Sequence, residues 1–484
     1  MKQRVSVIVL LMVGVAFGFQ SGAAQFTVAN IQELNMVLGK VKPGDLVIWK
    51  NGQYKDVNIN FATNGAEYKM IILKAQTAGK VVFTGNSRLL LNGSWLKAEG
   101  FLYKGTSTLQ KADVLSFSSD AIHCRFTNCA VINYSPVDSM VNNSWVSLQG
   151  IYNEVDHCYF TGKTNQGPYL VVRYYKAKDY KDGSDAAPST YHQLHHNYFG
   201  YRTLPTDNGG EDMRIGDSFT SFTHGFNIIE YNYFEDHRKE AEVISNKSWD
   251  NIYRFNTFIG NDGQMVLRHG QKCFVYGNYF DGKTGRNKSG GIRIINANQS
   301  VFNNYITNVE GSEKVASKAG IVIMSGLVDS PLNGYYPADN ALVAYNTTVN
   351  CETPVYKIGY GNKAMGLPLV APQNITIENN LVIQSIGNNT IAEQTEPVTY
   401  IACIDNFYNN GNTAVKGFSE IKESEIKGRN RFYYAAKPVN KTIVDSINQR
   451  LAVHNIKLTE KEITQFDPKW KLSEKEVGVS WIRK

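Results

Sequence analysis

Tyr231-Asn232-Tyr233-Phe234, Phe255-Asn256-Thr257-Phe258 and Gly277-Asn278-Tyr279-Phe280 are three versions of one quartet, and they decide the fold. Their asparagines lie 24 and 22 residues apart. Upstream the pattern recurs at His196-Asn197-Tyr198-Phe199, His157-Cys158-Tyr159-Phe160 and His123-Cys124-Arg125-Phe126. Downstream it recurs at Asn303-Asn304-Tyr305-Ile306, Tyr345-Asn346-Thr347-Thr348 and Asn379-Asn380-Leu381-Val382. In chain order the intervals are 34, 39, 35, 24, 22, 26, 42 and 34 residues. The shortest cluster at 22–26, and the longer ones fit the same unit with inserted loops. Leucine-rich repeats would show a Leu-rich consensus, and a propeller would need longer and more even spacing. The reading is therefore all-β: a single-stranded right-handed parallel β-helix, each coil adding three short strands. Stacked asparagine amides can hydrogen-bond along such an axis as a ladder. Cys124 and Cys158 take the ladder position, as small buried side chains.

The two ends differ from the repeat. Residues 1–24 carry Lys2 and Arg4, an apolar run from Val5 to Phe19, and Ser21-Gly22-Ala23-Ala24 before Gln25. This is the pattern of a secretory leader, which places the mature chain outside the cytoplasm, secreted or periplasmic. The apolar run is short for a bilayer span, and no later stretch approaches its length. In residues 27–39, Ile31, Leu34, Val37 and Leu38 fall at helical spacing, as expected for an N-terminal helix that caps the first coil. The β-helix domain is assigned to residues 25–395. Residues 396–484 are read as a last coil and an irregular C-terminal segment packed on it, with a helix within 438–456.

With 50 Lys and Arg against 43 Asp and Glu, the chain is only mildly basic, at +7. No basic run is concentrated enough for nucleic acid, whereas a polyanion held in a local groove is compatible. The six cysteines show no metal-type CxxC spacing.

One stretch stands out chemically: Glu240-Ala241-Glu242-Val243-Ile244-Ser245-Asn246-Lys247-Ser248. Two acids two apart on a strand share a face. They repel unless a hard cation that takes oxygen ligands sits between them, and Ca2+ is the natural candidate. Lys247 has the wrong parity for that face, so a turn or break is expected near Ile244–Asn246 if the amine is to join the acids. Counted from the asparagine anchors, Asn208, Glu240, Glu242, Lys247, Arg268 and Arg293 all fall in one sector of four consecutive coils. Coils stack about 4.8 Å apart, so these groups would line one face roughly 15 Å long. That suits a groove for several sugar units better than a pocket for one small molecule. Spacing alone leaves both this groove and an ordinary solvated face of charges open.

Several blocks carry a family resemblance. Asn208-Gly209-Gly210-Glu211-Asp212-Met213-Arg214-Ile215-Gly216, the Glu240–Ser248 stretch, Leu267-Arg268-His269-Gly270 and Gly290-Gly291-Ile292-Arg293-Ile294 resemble the signature blocks of polysaccharide lyase family 6. That family holds alginate lyases and chondroitinase B. Pro331-Leu332-Asn333-Gly334-Tyr335-Tyr336, Lys42-Pro43-Gly44-Asp45 and Val477-Gly478-Val479-Ser480-Trp481 resemble further blocks, so the likeness covers nearly the whole chain after the leader. The resemblance implies that Asn208, Glu240 and Glu242 hold Ca2+, with Glu211 as a ligand or a supporting acid. It implies Lys247 as Brønsted base and Arg268 as acid. Arg293, His269, Arg214 and Tyr336 are the candidates for binding substrate carboxylates and rings, and Arg214 could instead order Glu211. The implied reaction is Ca2+-assisted β-elimination on an anionic polysaccharide. An amine acts as a base only after giving up its own proton, which adjacent cations favour. Arginine rarely releases a proton, so His269 or water could share the acid role.

Three alternatives belong beside this. A glycoside hydrolase would need two acids flanking the bond without a base lysine. A non-catalytic polysaccharide-binding β-helix would keep the ladder but would not need Lys247. Within the lyase reading, alginate needs only cations for carboxylates, whereas dermatan sulfate calls for further cationic subsites for sulfate. Alginate is preferred. The loops Tyr175–Ser189 and Glu310–Lys318 are expected to set the ends of the groove.

Overall fold

The computed structural model describes residues 22–174, 187–206, 208–284, 288–313, 315–361, 366–384, 390–395 and 399–482. Almost all of the leader, and most of the Tyr175–Ser189 loop, lie outside them. The chain winds through three parallel sheets of 14, 14 and 12 strands, visiting them in the same order in each coil. One coil runs Ile228–Glu230, Tyr233–Glu235 and Glu242–Asn246; the next runs Ile252–Arg254, Thr257–Ile259 and Gln264–Leu267. These three positions are called the first, second and third sheets below. The coils stack in register, Ile252 on Phe274, Thr257 on Tyr279 and Met265 on Ile292.

Side chains alternate across each strand, and the inward set fills the tube. Ile229, Tyr253, Val275 and Val301 of the first sheet are buried, as are Met213, Met265, Ile292 and Ile321 of the third. Phe234, Phe258 and Phe280 stack face to face at 4.8 and 4.5 Å. The quartets from His157 onward form the corner between the first and second sheets. Their first residues, including His157, His196, Tyr231, Phe255, Asn303 and Tyr345, all have positive φ. This conformation costs an ordinary residue about 1–2 kcal/mol. Ring stacking of His157, His196, Tyr231 and Phe255 at 5.0–5.1 Å offsets part of that cost.

The asparagine ladder runs Asn197, Asn232, Asn256, Asn278, Asn304, Asn346, Asn380, Asn406, each Nδ2 donating to the next Oδ1 at 2.8–3.1 Å. Each Oδ1 also accepts the preceding backbone N–H, so the buried amides are satisfied. Cys158 heads this line, its N–H donating to Asn197 Oδ1. Cys124 does not belong to it. Strand Ala130–Ile132 pairs with Tyr159–Thr161, which makes Cys129 the residue above Cys158. Cys124 sits at a second corner, between the third and first sheets, where backbone N–H groups link Cys124, Asn153, His192, Asn227 and Asn251. The two corners share a quartet pattern because both begin with a positive-φ residue, His123 in one and His157 in the other. All six cysteines are free thiols.

At the N-terminus, Gln25–Val28 is a strand on Leu46–Trp49 that opens the first sheet, so Thr27 and Val28, at the start of the expected 27–39 helix, are strand. The helix is Ile31–Leu38, capped by the Asn30 side chain and buried through Leu34. At the other end, Thr399–Ile404, Asn406–Asn409 and Phe418–Glu420 continue the first and second sheets. A hairpin of Ile426–Arg429 and Phe432–Ala435 and a helix, Lys441–Leu451, follow. Ile443, Val444, Ile447 and Leu451 of this helix pack on Phe274, Tyr276, Phe302 and Leu342 of the first sheet. The chain then returns along the solenoid. Phe466 lies against Tyr279 and Tyr305, Gly478 N–H donates to His196, and the Trp481 indole donates to Asn128.

Candidate active site on the third sheet

Across the third sheet the outward positions in register are Arg214, Ser245, Val266, Arg293 and Val322. Upstream of Ser245 the strand is re-phased. The register shifts between Glu242 and Ile244, and Val243 and Ile244 are both buried. This one-residue bulge lets Glu242 and Lys247 face the same side despite their odd spacing. The break thus lies at Val243, ahead of the expected Ile244–Asn246. Lys247 is also positioned from both flanks. Asn246 and Ser248 are fully buried and tied inward, by Tyr253 Oη to Asn246, by Tyr174 Oη to Ser248 and by Asn251 Nδ2 to both. The residue between two pinned inward neighbours must point outward.

Glu240 lies ahead of the strand. It reaches Glu242 through the cavity, not by strand parity. Gly210 N–H donates to one of its oxygens at 3.0 Å and Ala241 N–H to the other at 2.8 Å. Burial, with Glu211 and Glu242 nearby, pushes its carboxyl up to about 7. Burial also opposes ionisation of Glu242, but Arg293, Arg268 and Lys247 outweigh it and hold that carboxyl below its ordinary value. Arg293 donates to Glu242 at 2.7 Å, and Arg268 Nε stands 3.8 Å from the same oxygen. Behind the acids, fully buried Arg202 donates to the Glu211 carbonyl at 3.0 Å. Arg214 stands 3.8 Å from the Glu211 carboxylate.

Asn208, Glu211, Glu240, Glu242, Lys247, Arg268, His269 and Arg293 line one open cavity of about 450 Å3, with Ser218, Ala241, Asn333 and Tyr335. Arg268 is gripped by the 331–336 loop. Its guanidinium donates to the carbonyls of Gly334 and Asn333 and lies 4.0 Å from the centre of the Tyr335 ring. Tyr335 is the ring that meets Arg268 and lines the cavity, whereas Tyr336 and Arg214 are not among the residues lining it. Burial, then Arg268 and Lys247, push the His269 imidazole far down, so it is neutral, and its Nε2 meets Ser218 Oγ at 3.1 Å. Among the described residues Lys247 makes no ion pair and no side-chain hydrogen bond.

Ser218, Asn333 and Tyr335 were missed from sequence. Tyr335 adjoins the chosen tyrosine, and Asp217-Ser218-Phe219-Thr220 carries a readable capping-box pattern that starts a short 3-10 turn. The donor set of Glu211, Glu240, Glu242 and Asn208 is all oxygen. One Glu211 carboxylate oxygen is buried with no hydrogen bond. Oxygen donors with such an orphan are the type a hard cation takes, although among the described residues the three carboxylates do not all come within 4.8 Å of one another.

A parallel β-helix with a polar groove of acids, a lysine and arginines along one sheet is the class that the fold and the site define. The particular family follows from the comparisons. The family profile of Chondroitinase B matches residues 28–448, and the chain belongs to this family, polysaccharide lyase family 6. Among solved structures it is similar to the family 6 alginate lyase AlyGC, with 32% identity, a TM-score of 0.80, and coverage of 95% of this chain and 59% of that one. The chain thus spans about three-fifths of the length of AlyGC, at 59%. It is also similar to a mannuronic acid specific family 6 lyase from human gut microbiota, with 26% identity, a TM-score of 0.68, and coverage of 89% and 94%. A family 6 polysaccharide lyase from Pseudopedobacter saltans gives 26% identity, a TM-score of 0.70, and coverage of 94% and 99%. No curated protein sequence matches the chain.

Proposed function

We propose that this chain cleaves alginate by β-elimination in the cavity of the third sheet. The observation that carries the reading is the juxtaposition of an unpaired lysine, Lys247, with Arg268, Arg293 and the Glu211, Glu240 and Glu242 cluster. In this reading the Lys247 amine takes the proton from C5 of a uronate unit. The electron pair forms the C4–C5 double bond and the C4–O bond breaks. Arg268, held by the Asn333 and Gly334 carbonyls, faces the departing oxygen and stabilises its charge, and water supplies the proton. Arg293 stands beside Glu242 as a cation for the substrate carboxylate. Asn208, Glu211, Glu240 and Glu242 would hold Ca2+. Ca2+, when bound, supplies charge neutralisation of the uronate carboxylate, which makes C5–H more acidic.

The similarity to an alginate lyase and to a mannuronic acid specific lyase supports an unsulfated uronate polymer as substrate. Removal of residues 1–24 as a secretory leader would put the enzyme outside the cytoplasm, secreted or periplasmic, and N-terminal sequencing of exported protein checks this by finding or missing cleavage before Gln25. Among the described residues no helix is long and apolar enough to cross a membrane.

The test is ultraviolet absorbance of the unsaturated uronate, with alginate and separately with dermatan sulfate, with and without EDTA. Absorbance with alginate that chelation removes is the expected result, and Lys247→Ala should lower the rate by at least about 100-fold. Absorbance with dermatan sulfate alone would move the substrate to the sulfated polymer. New reducing ends without absorbance would replace elimination by hydrolysis.

A further inference from the structure

A second cavity, of about 440 Å3, opens where the C-terminal helix meets the corner between the third and first sheets. The corner residues of successive coils explain it. Trp95, His123, Tyr152, Tyr191 and Phe226 all have positive φ there and stack on one another at 4.2–5.2 Å. The stack stops at Phe226, because the next corner residues are Asp250, Lys272, Asn298 and Asn340. Where the rings end, the cavity begins. Phe226 and Phe274 form its apolar wall, joined through His454, which meets each ring edge-on at 5.4 Å. Arg450, in the last turn of the helix Lys441–Leu451, forms the opposite wall and is aligned by hydrogen bonds to Asn340 and Ser300.

The charges are unbalanced. Asp250, the acid in the lining, is paired with His224. Among the described residues neither Lys272 nor Arg450 forms an ion pair, and Lys272 is exposed, its ammonium 5.2 Å from the centre of the Trp249 ring. Two cations against one carboxylate, which faces both His224 and Lys272, share one cavity with two side-chain amides and one aromatic wall, so the lining carries a net positive charge. Its volume falls within the range of about 300–1,000 Å3 typical of small-ligand sites.

We propose that this cavity is a second saccharide site, which holds a uronate unit of the same polymer away from the cleavage groove. The carboxylate meets Lys272 and Arg450, the hydroxyls meet Asn298 and Asn340, and the apolar face of the sugar lies on Phe226 and Phe274. Such a site anchors a long chain while the groove works on another part of it. The inference rests on the polymer reading above.

The experiment uses the full chain carrying Lys247→Ala, so that a saturated oligouronate is bound without being consumed, with calorimetry as the readout. Two binding events are expected. Adding Lys272→Glu, or separately Phe226→Ala, should weaken one event by about tenfold and leave the other unchanged. In the otherwise unaltered enzyme, Lys272→Glu should raise KM for long polymer and leave kcat, and KM for a short oligomer, unchanged. A single event that neither substitution affects would overturn the second site while leaving the groove reading intact. Equal binding of a neutral oligosaccharide would overturn the role given to the carboxylate. No uronate binding at all would overturn both readings together.

Discussion

His192 interrupts a line of asparagine side chains, and that one substitution has a consequence in acid. It occupies the corner position held by Asn153 and Asn227 in adjacent coils, and its Nδ1 accepts the Asn153 N–H. Burial pushes its imidazole down to about 3, from an ordinary value of 6.5. Between those values the unfolded chain binds a proton that the folded chain does not. Stability from this residue is therefore full above 6.5 and is lost as pH falls toward 3. His192→Asn should flatten the fall in melting temperature across that window, as measured by thermal melts at stepped pH. An unchanged slope would remove His192 from the account. At this same scale the gathering of the charged groups into one cavity was largely readable in advance. Lys247, Arg268, Arg293 and the acids stand out by type and position, whereas Tyr335 and Tyr336 are chemically identical neighbours. Only the path of their loop over Arg268 selects one.

At the scale of the element, the ladder and the bulge carry the fold and the site respectively. Asn256 donates to Asn278 and to the Ile229 carbonyl, and accepts from the side chain and backbone of Asn232. Asn256→Ala would leave buried partners unsatisfied, at a cost of about 2 kcal/mol. A shifted urea midpoint would show it, and a shift within error would mean that the ladder adds little beyond the sheets. The repeat was legible because each coil repeats one corner. It misled at His123–Phe126, since two different corners solve the same positive-φ turn with the same residue types. The bulge at Val243 was half legible. The parity conflict required a break, but adjacent apolar residues do not say which of them is the extra one.

At the scale of the molecule, the return segment ties distant coils together. Phe466 packs against Tyr279, Tyr305, Phe432 and Trp470 on the outside of the second sheet. Phe466→Ala should destabilise the chain by about 3 kcal/mol, measured by denaturant unfolding, and should leave the activity of the folded protein unchanged. Loss of activity at full folding would mean that the return segment also shapes the groove. The sequence by itself determined the solenoid, the ladder from Cys158 to Asn380 and the residue types of the site, because hydrophobic alternation and corner residues are local constraints repeated in every coil. The tertiary structure alone decided which corner each cysteine joins, where the strand is re-phased, which tyrosine meets Arg268, and that the C-terminal helix closes a second cavity. These depend on register between coils and on where loops land, and contacts between residues far apart in the chain set both.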